Sequence, residues 1–226
     1  MAKRMYFTLS KDLIYEEKFV EFKFYNGFAV SQKQKSIDSL HEAILDSDSN
    51  ANILEVSSKS KNELGIKLSA FNLKLKIKGK LISVENIFQS SKIFEHGGPY
   101  KDLLYVTPIE AKKDERIRNS GDIIGFEFNN KNYPIEPKTL FYDWIYCNTL
   151  NLQPEIVKEL TQYNTFTDIE FNHEKSINCQ ARTVAIFVSL YKNNLLNEAL
   201  SSIDKFLDIV YKNKKTALFE QLSFKF

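Results

Sequence analysis

Glu85, Gln89 and Lys92 are the residues whose types and spacing invite chemistry. The amide and the amine lie four and seven residues after the carboxylate, so on a helix all three share one stripe about two turns long. An acid and an amine in one line are the parts of acid–base chemistry; on an exposed helix they are solvated charges or a weak ion pair. Ser57-Ser58-Lys59 sets two small hydroxyls beside an amine, which suits a phosphate and equally an ordinary serine-rich turn. Arg118-Asn119-Ser120-Gly121, at the exit of an expected helix, can hold an anion or simply be solvated.

The elements that must position these residues are legible from periodicity. Val84, Ile87, Phe88, Ser91 and Phe94 recur at three- and four-residue steps and predict one amphipathic helix over 83–94, stopped by Gly97 and Pro99. Residues 73–81 alternate Lys74, Lys76, Lys78 and Lys80 with apolar residues and Gly79. That predicts a half-buried strand whose lysines either guard a sheet edge or track a nucleic-acid backbone. Extended segments are expected at 19–30, with a turn at Asn26-Gly27, and at 53–60, 64–72 and 122–128. A short helix is expected around Ile37–Leu45. Another opens at Thr107-Pro108-Ile109-Glu110, with Thr as cap, Pro at the first position and Glu at the third, and runs to Ser120-Gly121. Further helices are expected from Pro137 to Leu150, from Gln153 to Tyr163, over 178–191 and over 197–211, before a strand-like 218–226. Trp144 reads as core. Short, mostly antiparallel strands early and helices late make the fold class α+β.

Composition narrows the function classes. With 226 residues, 43% hydrophobic and 27% charged, the chain can bury a sizeable core as one domain over 1–226. No apolar run approaches the roughly 18 residues of a membrane span, and Met1-Ala2-Lys3-Arg4 is followed by no apolar signal block, so no membrane partner and a cytoplasmic address are expected. Cys147 and Cys179 are too few for a disulfide framework and read as small core residues, and His41, His96 and His173 have no metal spacing; neither metal nor cofactor is expected. A net charge of +2 excludes nucleic-acid binding by overall attraction and leaves local contact open. The arginines are Arg4, Arg116, Arg118 and Arg182, so an arginine at a phosphate must be one of these.

The run Val84-Glu85-Asn86-Ile87-Phe88-Gln89-Ser90-Ser91-Lys92-Ile93-Phe94 resembles the "S/V-E-H-x-F-Q-A-x-K-F" helix of the NADAR family, whose members cleave N-glycosidic bonds in NAD- and ADP-ribose-related molecules. Asn86 stands for the family's His. Leu68-Ser69-Ala70-Phe71 is similar to its "L-S-N-F" segment, with Ala70 for Asn and Asn72 available to take over that role. Phe166-Thr167-Asp168-Ile169-Glu170-Phe171-Asn172 and Lys175–Arg182 resemble the blocks that close the NADAR pocket, with Asn178 matching its Asn and the neighbouring glycines missing. The likeness covers about 66–190; residues 1–65 add a strand and helix, and 191–226 a helix and strand. Val30–Ile37, Phe94–Tyr100, Arg118–Gly121 and Lys175–Arg182 resemble most closely the branch of DarT-associated NADAR antitoxins. DarT toxins attach ADP-ribose from NAD to DNA bases, and this branch removes it from guanine.

The resemblance implies a hydrolase acting on ADP-ribosylated DNA, with ADP-ribose as product and a DarT-type toxin as possible partner. Glu85 would be general acid and base. Lys92, if neutral through burial, would be a Schiff-base nucleophile, and otherwise an electrostatic group. Asp168 would lie near the ribose hydroxyls or the cationic centre; without the likeness it could as well cap a turn. Gln89, Ser69, Asn72 and Asn178 would line the pocket. Ser57, Ser58, Lys59 and Arg118 would meet the pyrophosphate. Tyr133, near the place of a family Trp, or Phe171 would stack the base, although Tyr133 can equally pack the turn before Pro134. Two other readings stay open: an N-glycosidase of free riboflavin-pathway or NAD-related nucleotides, and an antitoxin that only binds its toxin.

Overall fold

A computed structural model describes residues 1–10, 14–174 and 176–212. The described residues form two compact units, one from 1–68 and 153–212, the other from 69–152.

The first unit begins with β1 (Ala2–Thr8) and β2 (Glu16–Phe22), antiparallel from Ala2↔Phe22 to Thr8↔Glu16. The alternation read at 19–30 belongs to a strand that ends at Phe22, because Val30 already opens α1 (Val30–Ser47). Ile37, Leu40 and Ile44 of that helix recur on one face and bury with Tyr6, Phe22 and Ile169. β3 (Ile53–Glu55) is short, and α2 (Glu63–Lys67) follows, capped by Asn62, whose side chain accepts from the Leu64 amide. The extended segment expected over 64–72 is thus a helical turn followed by tight turns. Gly65 explains why: a Cβ there would stand 1.9 Å from the Glu55 carbonyl oxygen, so the glycine permits a backbone approach that no strand would need.

In the second unit the lysine-rich stretch is a hairpin rather than one strand: β4 (Lys74–Ile77) and β5 (Lys80–Ser83) pair around Lys78-Gly79, both at positive φ. Then come α3 (Val84–Ser91), β6 (Lys92–Phe94), a 3₁₀ turn at Lys101–Tyr105, α4 (Pro108–Lys113) and α5 (Glu115–Asn119). The capping box at Thr107 and Glu110 forms as expected, but the helix breaks at Asp114, whose side chain caps α5 by accepting from the Arg116 amide. β7 (Ile123–Phe128) pairs with β6 and with β8 (Lys131–Tyr133), and α6 (Leu140–Asn151) packs on α3. Trp144 is half-buried rather than core, while Phe141, Ile145 and Tyr146 fill that role.

The chain then completes the first unit with α7 (Pro154–Leu160), β9 (Thr165–Thr167), α8 (Gln180–Lys192), α9 (Leu196–Ala199) and α10 (Ile203–Leu207). The last two, with a π-turn over Asp208–Lys212, replace the single helix expected over 197–211. β9 inserts beside β1 to give the order β2-β1-β9-β3, and it runs parallel to β3, so a strand from late in the chain joins the early ones. α8 packs on β1 and β9. The architecture is mixed α/β, with N-terminal strands and helices dominating the later chain. The strand expected over 218–226 lies outside the described residues. Cys147 and Cys179 are both buried free thiols. No helix among the described residues is long and apolar enough to cross a membrane.

Candidate active site

α3 is held at its N-terminus from two sides. The Ser83 hydroxyl accepts from the Asn86 amide, and the Glu85 amide donates to the Ala70 carbonyl at 2.9 Å. Ala70 sits in a turn closed by the Asn72 and Leu73 amides on the Ser69 carbonyl, and this turn holds the start of the helix through backbone. Asn86 donates to the Leu103 and Val106 carbonyls at 2.7 and 3.0 Å, which makes it a structural tie to the 3₁₀ turn.

Every residue of α3 is buried, Glu85 and Gln89 included, which removes the reading of solvated charges on a surface helix. The helix stops at Ser91, three residues before the expected end, because Lys92–Phe94 turns into β6 and pairs with β7. Lys92 nevertheless reaches back along the stripe. Gln89 Nε2 donates to Glu85 Oε1 at 2.8 Å, and Lys92 Nζ donates to Gln89 Oε1 at 2.7 Å, so the amide links acid and amine in one relay. Lys92 Nζ also lies 4.6 Å from the Phe88 ring centroid. Burial lowers the Lys92 pKa from 10.5 to about 8; the Glu85 charge opposes this and Lys112 adds to it.

An aromatic wall stands behind the relay. Phe88 meets Phe126, Phe141 and Tyr142, and the Tyr133 ring lies 5.0 Å from that of Phe141. Tyr133 is half-buried and hydrogen-bonded to Trp144, with its phenol pushed up by burial. The Ser69 hydroxyl is buried without a hydrogen-bond partner, one residue from the carbonyl that holds the Glu85 amide. Such an orphan costs about 1–3 kcal/mol unless something occupies it. Asn72 is exposed, and so is Arg118 at the end of α5.

The first unit carries its own carboxylate pair. Asp168 follows β9 and is buried, accepting from the Glu170 amide at 3.0 Å and from Gln180 Nε2 at 3.1 Å. Burial raises its pKa to about 7, and Glu55 adds to the rise. Glu55 is itself buried and raised by burial, although Thr167 Oγ1 at 2.6 Å, the Ile169 amide at 2.9 Å and Ser57 all donate to it. His41 Nε2 lies 2.9 Å from Thr167 Oγ1, and burial lowers the His41 pKa to about 4, so a neutral imidazole closes the chain. The Ser57 hydroxyl is therefore turned inward to Glu55 and to the Lys59 amide, whereas Ser58 is exposed and Lys59 half-buried. Phe171 is buried. Asn178 is half-buried, and its Oδ1 has no hydrogen-bond partner.

Sequence reasoning did not single out Glu55 and Gln180, which meet Asp168, or Thr167 and His41, which link to Glu55. The signal available was Glu55 itself, a carboxylate in the apolar run Ile53–Val56. Among the described residues no group of His, Cys, Asp and Glu is arranged to hold a metal ion.

The structure thus joins an acid, an amide and an amine in one hydrogen-bonded line along a buried helix. The family described as DarT1-associated NADAR antitoxin matches residues 2–218, and the chain belongs to that family. NADAR proteins are glycosidase- or hydrolase-like. No curated protein matches the chain.

Proposed function

We propose that this protein removes ADP-ribose from guanine bases of DNA, reversing a DarT-type toxin, with Glu85 and Lys92 carrying the chemistry. The observation that carries the proposal is the buried relay Glu85–Gln89–Lys92, in which the amine has a pKa of about 8 and is therefore in part neutral near pH 7–8. ADP-ribose joined through C1″ to the exocyclic amine of guanine is an N-glycoside. Its ribose ring can open to an imine at C1″. Lys92 Nζ then adds to C1″, Glu85 protonates the departing guanine amine as the C1″–N bond breaks, and water cleaves the lysine imine to release ADP-ribose and the free amine. Gln89 orients both groups, because its amide can bridge them in only one direction: oxygen to the amine, nitrogen to the carboxylate.

Asp168, with a pKa of about 7, is the proposed second carboxylate at the ribose. The buried, unpartnered oxygens of Ser69 and Asn178 are proposed to meet substrate hydroxyls. Tyr133 or Phe171 would stack the base. Lys59, Ser58 and Arg118 are proposed for the pyrophosphate, whereas the engagement of Ser57 with Glu55 argues for a supporting place behind them.

The test is release of ADP-ribose from guanosine-modified single-stranded DNA, with the thymidine adduct as control. Wild type is expected to turn over the guanosine adduct, and Glu85→Ala to lose at least about 100-fold in kcat. Borohydride is expected to trap an ADP-ribosyl adduct on Lys92 that Lys92→Arg does not form. Neutralisation of the toxin by Glu85→Ala at wild-type level would replace this reading with a binding-only antitoxin. Turnover of riboflavin-pathway nucleotides alone would replace it with a small-molecule N-glycosidase.

A further inference from the structure

Within residues 69–152 a cleft lies between two hairpin turns of the same kind, Lys78-Gly79 and Asn129-Asn130, all four residues at positive φ. Its lining includes Ser90 and Ser91, the last two residues of α3, which lead directly into Lys92. Tyr105 lines it and is 58% exposed. Lys80 Nζ lies 4.7 Å from the centroid of that ring. The one carboxylate in the lining, Glu127, is held by Lys101 at 2.6 Å, so its charge is met within the cleft. Lys78 and Lys80 then leave the cleft and its rim net positive.

Guarding a sheet edge accounts for lysines at Lys74 and Lys76, which point away from Leu75 and Ile77 along the strand. It accounts neither for Lys78 lining a cleft nor for Lys80 over an exposed tyrosine. Amines beside an open aromatic ring, with two asparagine amides opposite, match a single nucleic-acid strand: phosphates for the amines, a base face for the ring, base edges for the amides.

We propose that this cleft, with Tyr105 and Lys80 at its rim, holds the single-stranded DNA that flanks the modified nucleotide. The inference rests on the reading that the substrate is carried on DNA. It adds where the strand runs: along the two turns and over the end of the helix that carries Glu85, which lets a chain with a net charge of only +2 bind DNA locally. The Tyr105 ring takes one base by stacking, and Lys78 and Lys80 each neutralise a phosphate.

Binding of a roughly 12-nucleotide unmodified thymidine strand to the full chain is measured by fluorescence anisotropy across salt concentrations. Turnover is measured on an ADP-ribosylated strand and on the ADP-ribosylated guanosine nucleoside. Tyr105→Ala is expected to raise Kd for the strand about tenfold. The double variant Lys78→Ala/Lys80→Ala is expected to flatten the salt slope by about 1.4. Both are expected to raise KM for the modified strand while leaving kcat and nucleoside turnover at wild-type level. Loss of strand binding in these variants, with no hydrolysis in wild type, would retain the surface and sink the hydrolase reading. Wild-type affinity and salt slope in both variants would overturn the inference. So would loss of toxin neutralisation by Tyr105→Ala with DNA binding intact, which would assign the face to a protein partner.

Discussion

Lys92 bears a cost that its neighbours only partly offset. Because its native pKa of about 8 lies below the unfolded 10.5, charging it is harder in the folded chain. The penalty is absent above pH 10.5, grows as pH falls toward 8, and is constant below that, at about 3 kcal/mol. Lys92→Met keeps the length and removes the charge. We expect it to be more stable than wild type at pH 6–7, by about 1–3 kcal/mol in urea denaturation, and inactive. If Lys92 attacks C1″, kcat at saturating substrate should rise with pH through about 8, and a flat profile would leave it only an electrostatic part. Gln89→Leu leaves acid and amine buried with no bridge between them. It should lower both stability, by about 1–3 kcal/mol, and kcat, and a variant with wild-type kcat would remove the relay from the mechanism.

α3 works as an element because each end is tied to something other than itself. Asn86 is the tie to the 3₁₀ turn, and Asn86→Ala strands the Leu103 and Val106 carbonyls. The expected loss is about 2 kcal/mol in denaturation midpoint experiments, against under 0.5 kcal/mol for an exposed residue such as Lys113. Gly65 plays the matching part in the other unit. Gly65→Ala would drive a methyl into the Glu55 carbonyl and the Ser60 side chain and should cost about 2–4 kcal/mol. The loss should come with weakened substrate binding if Ser58 and Lys59 meet the pyrophosphate.

Across the whole molecule, buried ionisable groups set opposing pH trends. The Asp168 pKa is raised from 3.8 to about 7, so the stability tied to its proton is fully present below pH 3.8 and is lost as pH rises through 7. Lys92 trends the other way, its penalty easing only above pH 8. His41, lowered from 6.5 to about 4, opposes Asp168 up to pH 6.5, because the cost of charging its buried ring eases as pH rises. Asp168→Asn is expected to raise the stability at pH 8 relative to that at pH 5 when compared with wild type, read as the difference in urea midpoint at the two ends; an unchanged difference would mean that Asp168 is not the titrating group. Keeping each of these groups buried costs stability that the rest of its unit must offset.

The acid–amide–amine stripe, the helix under it, the capping box at Thr107 and the buried cysteines were legible in the sequence, because each depends on residues within a turn or two of one another. Family membership was legible for the same reason, resting on contiguous runs such as 84–94. Tertiary structure decided what those patterns could not contain. Periodicity placed Glu85 and Lys92 on one line, and only packing on every side of α3 made that line dry and moved the amine to about 8. The break at Lys92 came from pairing with β7, more than thirty residues on. The Glu55–Thr167–His41 chain behind Asp168 joins residues more than a hundred positions apart, across the parallel pairing of β3 and β9. Local spacing reports the face a side chain takes, whereas desolvation and long-range strand pairing depend on what the rest of the chain brings against that face.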